Sequence, residues 1–132
     1  MNNPLKSGLY LVIMNRLFDI LRFQIYDEHT ETETSEWQYP GNPINIATKY
    51  DHHPSKWIEM PEVTDRWSKD EPLNDQICVV HLVGKKLEDH GFVIAKYKDQ
   101  LFIFEPAYGG WQKDYDDWQI DAWGSVPNDF KE

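Results

Sequence analysis

The chain has 132 residues, the size of a single domain, and its 40% apolar content excludes wholesale disorder. Thirteen Lys and Arg against 23 Asp and Glu give a net charge of -10, which excludes a non-specific duplex binder, because neutralising phosphates takes a basic footprint. The lone Cys78 excludes an intramolecular disulfide or an all-cysteine zinc site and suits a reducing cytoplasm, and the longest apolar run, Leu9 to Met14, is too short for a membrane span or a signal peptide.

Gly8 to Met14 reads as a buried strand closed by a turn at Asn15-Arg16. In Leu17 to Tyr26 the apolar residues Phe18, Ile20, Leu21, Phe23 and Ile25 slip phase once near Leu21, which predicts a strand with a bulge; Leu17, Ile20 and Leu21 also fit a short helix. Asp27 to Glu36 is rich in Thr and Glu and reads as a mobile loop or a hairpin tip. Ile44, Ile46 and Thr48 alternate with Asn45, Ala47 and Lys49 as a short strand. Between Met60 and Asn74 the pattern weakens into a join between halves, where Pro61 favours a helical turn over Glu62 to Trp67.

The second half restarts with an apolar strand over Ile77 to Val83. A polar loop from Gly84 to Gly91 then leads to an alternating strand, Phe92 to Lys98. Asp99-Gln100 forms a hairpin turn into Leu101 to Phe104. After Pro106 the chain sets Trp111, Tyr115, Trp118 and Trp123 among carboxylates. The expected fold is mainly β with little helix: short antiparallel strands forming one compact domain, 1–132, from two similar β-rich halves.

The acidity is localised. Residues 27–36 carry five acids and no Lys or Arg, and residues 105–132 carry seven acids against Lys113 and Lys131. The remaining 94 residues hold 11 acids and 11 bases, so each half contributes one packet of -5 on a neutral scaffold.

Trp57-Ile58-Glu59-Met60-Pro61 and Trp123-Gly124-Ser125-Val126-Pro127 share the form W-x-x-(M/V)-P at a separation of 66 residues. Each follows the same order of features: apolar strand, turn, aromatic-rich strand, acidic loop and an upstream Trp (Trp37, Trp111). This order suggests an internal repeat over 4–66 and 72–132. The unit resembles a small Trp-rich domain of unknown function common in phages and prophages, which opens with G-x-Y-L-V and closes with W-x-P-L-P. Gly8-Leu9-Tyr10-Leu11-Val12 matches the opening, and both closing segments match with Glu59 and Ser125 in place of the first Pro. The second half departs at its opening, with Asp75-Gln76-Ile77-Cys78-Val79. The resemblance implies a β-rich fold and a phage or mobile-element origin, and carries no catalytic residues.

Cys78-x-x-His81 has a spacing seen in metal sites, and His52, His53 and His90 are further candidate ligands. On a strand, however, positions i and i+3 face opposite sides, so Cys78 reads as a small buried hydrophobe and His81 as a satisfied strand histidine. His52-His53-Pro54 reads as an exposed turn. Asp114, Asp116, Asp117 and Asp121 begin like a calcium loop, but Gln119 and Ser125 stand where Gly and Glu are required. Phosphate-loop, dinucleotide and nucleophile-elbow motifs are absent from the sequence. No catalytic residue, metal or cofactor is expected.

The expected function is that of a small, non-enzymatic interaction or inhibitor protein of the cytoplasm, phage- or mobile-element-encoded. Its acidic, aromatic loops would bind a basic protein of the host that handles nucleic acid or serves defence. The expected binding residues are Trp111, Tyr115, Asp116, Asp117, Trp118 and Asp121, with Glu31, Glu33 and Glu36 as a second face. Direct nucleic-acid or membrane binding is not expected. The alternative is a small-molecule or carbohydrate binder using an aromatic cleft between the halves.

Overall fold

The computed structural model describes residues 3–40, 44–61, 65–66, 75–83, 91–105, 110–113 and 120–131. It is mainly β, with two antiparallel sheets and one short helix among the described residues. The chain divides into two compact units, 1–60 and 61–132.

In the first unit, β1 (Gly8–Met14) and β2 (Leu17–Tyr26) form a hairpin whose two-residue turn, Asn15 and Arg16, has φ of 53° and 67°. Paired positive φ values give a turn whose twist matches that of the flanking strands. The β1–β2 register runs unbroken from Gly8↔Phe23 to Met14↔Leu17, so the bulge expected near Leu21 is absent. Ile20 and Leu21 are both buried, and the phase slip in the sequence records a strand covered on both faces at that point.

β3 (Thr34–Gln38) pairs with β2, so Thr34 to Glu36 belong to a strand and the hairpin tip is only 27–33. The strand expected over Ile44 to Lys49 is instead the start of a helix, α1 (Ile46–Tyr50). Asn45 caps it by accepting from the Thr48 N–H at 3.1 Å, and Asp51 closes it in the left-handed conformation at φ 55°. Only Ile46 of that segment is fully buried, too little to hold a strand face inward. β4 (Lys56–Glu59) then returns to pair antiparallel with β1, giving the sheet order β3-β2-β1-β4.

The first core is aromatic. Tyr10, Val12, Met14, Leu21, Phe23, Trp37 and Ile46 cluster, with Trp57 packed against them. Tyr10 is the hub, edge-on to Trp37 at 5.8 Å and to Trp57 at 5.4 Å, the T-shaped arrangement that ring quadrupoles favour.

The second unit contains β5 (Asp65–Arg66), β6 (Ile77–Leu82), β7 (Phe92–Lys98), β8 (Gln100–Glu105), β9 (Gly110–Lys113) and β10 (Ile120–Ser125), in the order β5-β10-β6-β7-β8-β9. Asp65 and Arg66 are extended, against the helical turn expected there; 62–64 and 67 lie outside the described residues, as does the expected loop before Gly91. The β7–β8 turn is centred on Asp99 alone, at φ 61°, and Gln100 already pairs with Lys98. Asp is among the non-glycine residues that accept this conformation, and the absence of Gly is no obstacle. Here the core is largely aliphatic: Cys78, Val80, Leu82, Ala95 and Ile103, with Trp123 against it.

Candidate functional site

The acidic segment of the first unit is a closed hairpin tip. Asp27 and His29 take positive φ, 51° and 66°, and turn the chain. Thr30 donates to the Asp27 carbonyl from both its N–H (3.1 Å) and its hydroxyl (2.6 Å), and the Glu33 N–H donates to the Thr30 carbonyl at 3.2 Å. The Thr32 hydroxyl reaches the Asp27 carboxylate at 3.3 Å, and Glu33 accepts from the His29 N–H at 3.3 Å. The threonines that made the segment look like a mobile loop are its internal ties. Asp27, Glu28, Glu31 and Glu33 are all exposed on this frame, and His29 lies 3.4 Å from Glu28.

Glu36 has a different setting. It lies half-buried on β3, where its carboxylate, together with burial, raises the Tyr26 hydroxyl above its ordinary pKa, while Gln38 opposes by donating to that hydroxyl at 2.7 Å. Glu31 and Glu33 therefore belong to the tip, and Glu36 to a hydrogen-bonded group beside it.

In the second unit, Trp111 is half-buried, edge-on to Phe104 at 5.2 Å, with the Lys96 ammonium 4.6 Å above its ring. The indole face of Trp111, expected to meet a basic partner, already carries a cation from its own chain. Trp123 is half-buried against the second core. Tyr115, Asp116, Asp117 and Trp118 lie outside the described residues.

Asp121 has a partner within the chain. The β10–β6 register shifts between Ile120↔Leu82 and Ala122↔His81, leaving Asp121 as the extra residue of a β-bulge, and its carboxylate meets His81 Nδ1 at 2.7 Å. Bulges re-aim side chains in this way. Two further groups hold the imidazole. The Phe92 ring lies 5.1 Å away, and Gly91, at φ +72°, approaches so closely that a Cβ there would stand 3.2 Å from Nε2. The Asp121 carboxylate accepts from Nδ1–H, which leaves Nε2 facing Gly91. Both side chains remain partly exposed, 38% for His81 and 48% for Asp121. No sequence signal joins these two residues, which are 40 positions apart.

Cys78 and His81 do face opposite sides of β6. Cys78 is fully buried in the second core, and burial pushes its thiol up to about 12, which keeps it protonated and unreactive at neutral pH. His52 is half-buried and His53 exposed; His90 lies outside the described residues. Among the described residues no group of three or more His, Cys, Asp or Glu side chains could hold a metal ion, and no helix is long and apolar enough to cross a membrane.

No protein-family model, curated protein or solved structure matches the chain.

Proposed function

We propose that this is a small acidic interaction protein that binds a basic surface on another protein, with the hairpin tip 27–33 as one contact and the acidic segment around Asp116 and Asp117 as a second. One observation carries the reading: the tip presents Asp27, Glu28, Glu31 and Glu33 to solvent on a frame closed by its own threonines. A tip held in one shape loses little conformational freedom on binding, and its charge steers a basic partner toward it. The resemblance of Gly8 to Val12 and of the two W-x-x-(M/V)-P segments to a phage Trp-rich domain supports a phage or mobile-element setting. There, a protein of this chemistry acts as a non-enzymatic inhibitor in the host cytoplasm, on a nucleic-acid-handling or defence protein.

The test is affinity capture from host lysate with the wild type, with Glu31→Lys plus Glu33→Lys, and with Asp116→Lys plus Asp117→Lys, each first checked for an unchanged melting temperature. The wild type is expected to retain a basic protein that at least one charge-reversed variant loses, with retention falling as salt rises. Identical retention by all three proteins overturns the reading.

A further inference from the structure

We propose that the partner engages the first sheet by strand addition: a basic, extended segment of the partner protein pairs with the outer edge of β3. The inference rests on the acidic-surface reading above and names how that surface is used.

The direction of the backbone groups follows from the register. The two-residue turn at Asn15-Arg16 makes Met14↔Leu17 a hydrogen-bonded pair, and by alternation the odd-numbered residues of β2 point their N–H and C=O toward β1. The Ile25 N–H accordingly donates to the Ser7 hydroxyl, on the β1 side, at 2.9 Å. The even residues of β2 then bond to β3, through Tyr26↔Thr34, Gln24↔Glu36 and Arg22↔Gln38. The N–H and C=O groups of Ser35 and Trp37 are left pointing outward from the end strand of the sheet. The Trp37 indole lies in the core, where Ile46 of α1, a helix that packs beside β3, joins the same cluster.

Edges of this kind are normally blunted by Lys, Pro, bulges or shortness. β5 is two residues long, β4 carries Lys56 and β9 carries Lys113. β3 is five residues, Thr-Ser-Glu-Trp-Gln, with no Lys, Pro or bulge; its single charge is Glu36, and the tip with Glu31 and Glu33 continues from its start. A second copy of the chain pairing antiparallel about Glu36 would set the two Glu36 carboxylates directly opposite each other, and like charges across a strand pair repel. The same charges favour a strand with Lys or Arg at alternate positions. Among the described residues no strand pairs with this edge at Ser35 and Trp37, and its charge selects a basic occupant over self-pairing.

The probe is a capped peptide of alternating lysine and threonine, with a glutamate–threonine peptide as control, titrated into the full-length protein. Fluorescence anisotropy measures binding, and amide hydrogen exchange is followed residue by residue. The lysine peptide is expected to bind and to slow exchange at Ser35 and Trp37 by about tenfold or more, and the glutamate peptide to do neither. Ser35→Pro removes one outward donor at an edge position where Pro is tolerated, and should weaken binding by about tenfold while the Thr34, Glu36 and Gln38 amides stay protected. Exchange at Ser35 and Trp37 in the wild type decides the matter independently if the Pro variant fails to fold. Binding without protection at those two amides, binding unaffected by Ser35→Pro in a folded variant, or no binding of the lysine peptide each overturns strand addition. Binding to the wild type that leaves Ser35 and Trp37 unprotected but is lost in Glu31→Lys plus Glu33→Lys would overturn strand addition and leave the acidic-surface reading standing alone.

Discussion

The two units follow one strand path with different contents. In each, a first strand (β1 or β6) pairs with the next strand of a meander, and the last strand (β4 or β10) returns antiparallel to the first on its other side. The register aligns them closely: Trp57 stands opposite Val12, and Trp123 opposite Val80. From that anchor Tyr10 corresponds to Cys78, Met14 to Leu82, Ile13 to His81 and Ser55 to Asp121. The pairs Ile13↔Phe18 and His81↔Phe92 also correspond.

The differences sit on that shared frame. The first unit fills its core with Tyr10 and the rings it touches; the second puts the small Cys78 at the same place. Ser55 closes the first unit through its N–H and hydroxyl onto the Ile13 carbonyl, at 2.7 and 3.0 Å, whereas Asp121 closes the second onto the His81 ring. One path thus accepts either an aromatic hub or an aliphatic layer. The junction between first and last strands is closed onto a backbone carbonyl in one case and by a side-chain pair in the other.

Exchanging residues between equivalent positions breaks the comparison most sharply. Tyr10→Cys installs the second unit's residue in the first, leaving a cavity between Trp37 and Trp57 and removing two edge-on ring contacts. The expected loss is about 3–5 kcal/mol in urea unfolding. A loss below about 1 kcal/mol would mean that the aromatic core repacks as freely as an aliphatic one.

Gly91→Ala tests whether the second unit needs its close approach to His81. The new Cβ would crowd Nε2 from 3.2 Å, and φ +72° strains any residue with a Cβ. Together these should cost about 1–2 kcal/mol, read by thermal unfolding, with a shifted His81 imidazole resonance. An unmoved resonance would show that the ring is not held by Gly91.

The buried thiol gives the second unit an alkaline weakness. The Cys78 pKa is raised by burial from 9.0 to about 12, so the native state keeps a proton that the unfolded chain releases. That stabilisation is complete below the unfolded value and is lost as pH rises toward 12. The expected slope is about 1 kcal/mol per pH unit over that range. Tyr10, raised by burial and Glu59 against the opposing Lys6, adds a slope of the same sign above pH 10. Urea unfolding between pH 8 and 11 should therefore fall more steeply for the wild type than for Cys78→Ala. Equal slopes would place the thiol in contact with water.

Much of this architecture is legible in the residues because it is local. Gly8 to Met14 and Phe92 to Lys98 are bounded by turn residues and carry strand patterning, and both are strands to the residue. The misreadings arise where tertiary contacts decide. Ile20 and Leu21 look out of phase until both faces of their strand are seen to be covered, and Ile46 looks like half of an alternation until Asn45 caps a helix. At the acidic tip the exposed carboxylates were legible, but the threonine ties were not, because Thr30 and Thr32 bond only once Asp27 has turned the chain. Asp121 reads as a partner contact from its place among carboxylates and aromatic rings; the bulge that turns it onto His81 depends on a register between distant strands.

That pairing sets the smallest and most informative test of the comparison. Asp121→Asn keeps the shape of the side chain and its capacity to accept from Nδ1, but removes the charge. With both groups partly exposed, water screens most of the interaction, and the expected loss is only about 0.2–1 kcal/mol. Asp121→Ser transplants the residue found at the equivalent position of the first unit and deletes the reach to His81 altogether. If the bulge exists to deliver the carboxylate, Asp121→Ser should free the imidazole, visible as loss of the Nδ1–H resonance, while Asp121→Asn retains it. If both variants keep that resonance and the wild-type stability, the bulge is set by the strand backbone alone, and the two junctions are then equivalent in kind.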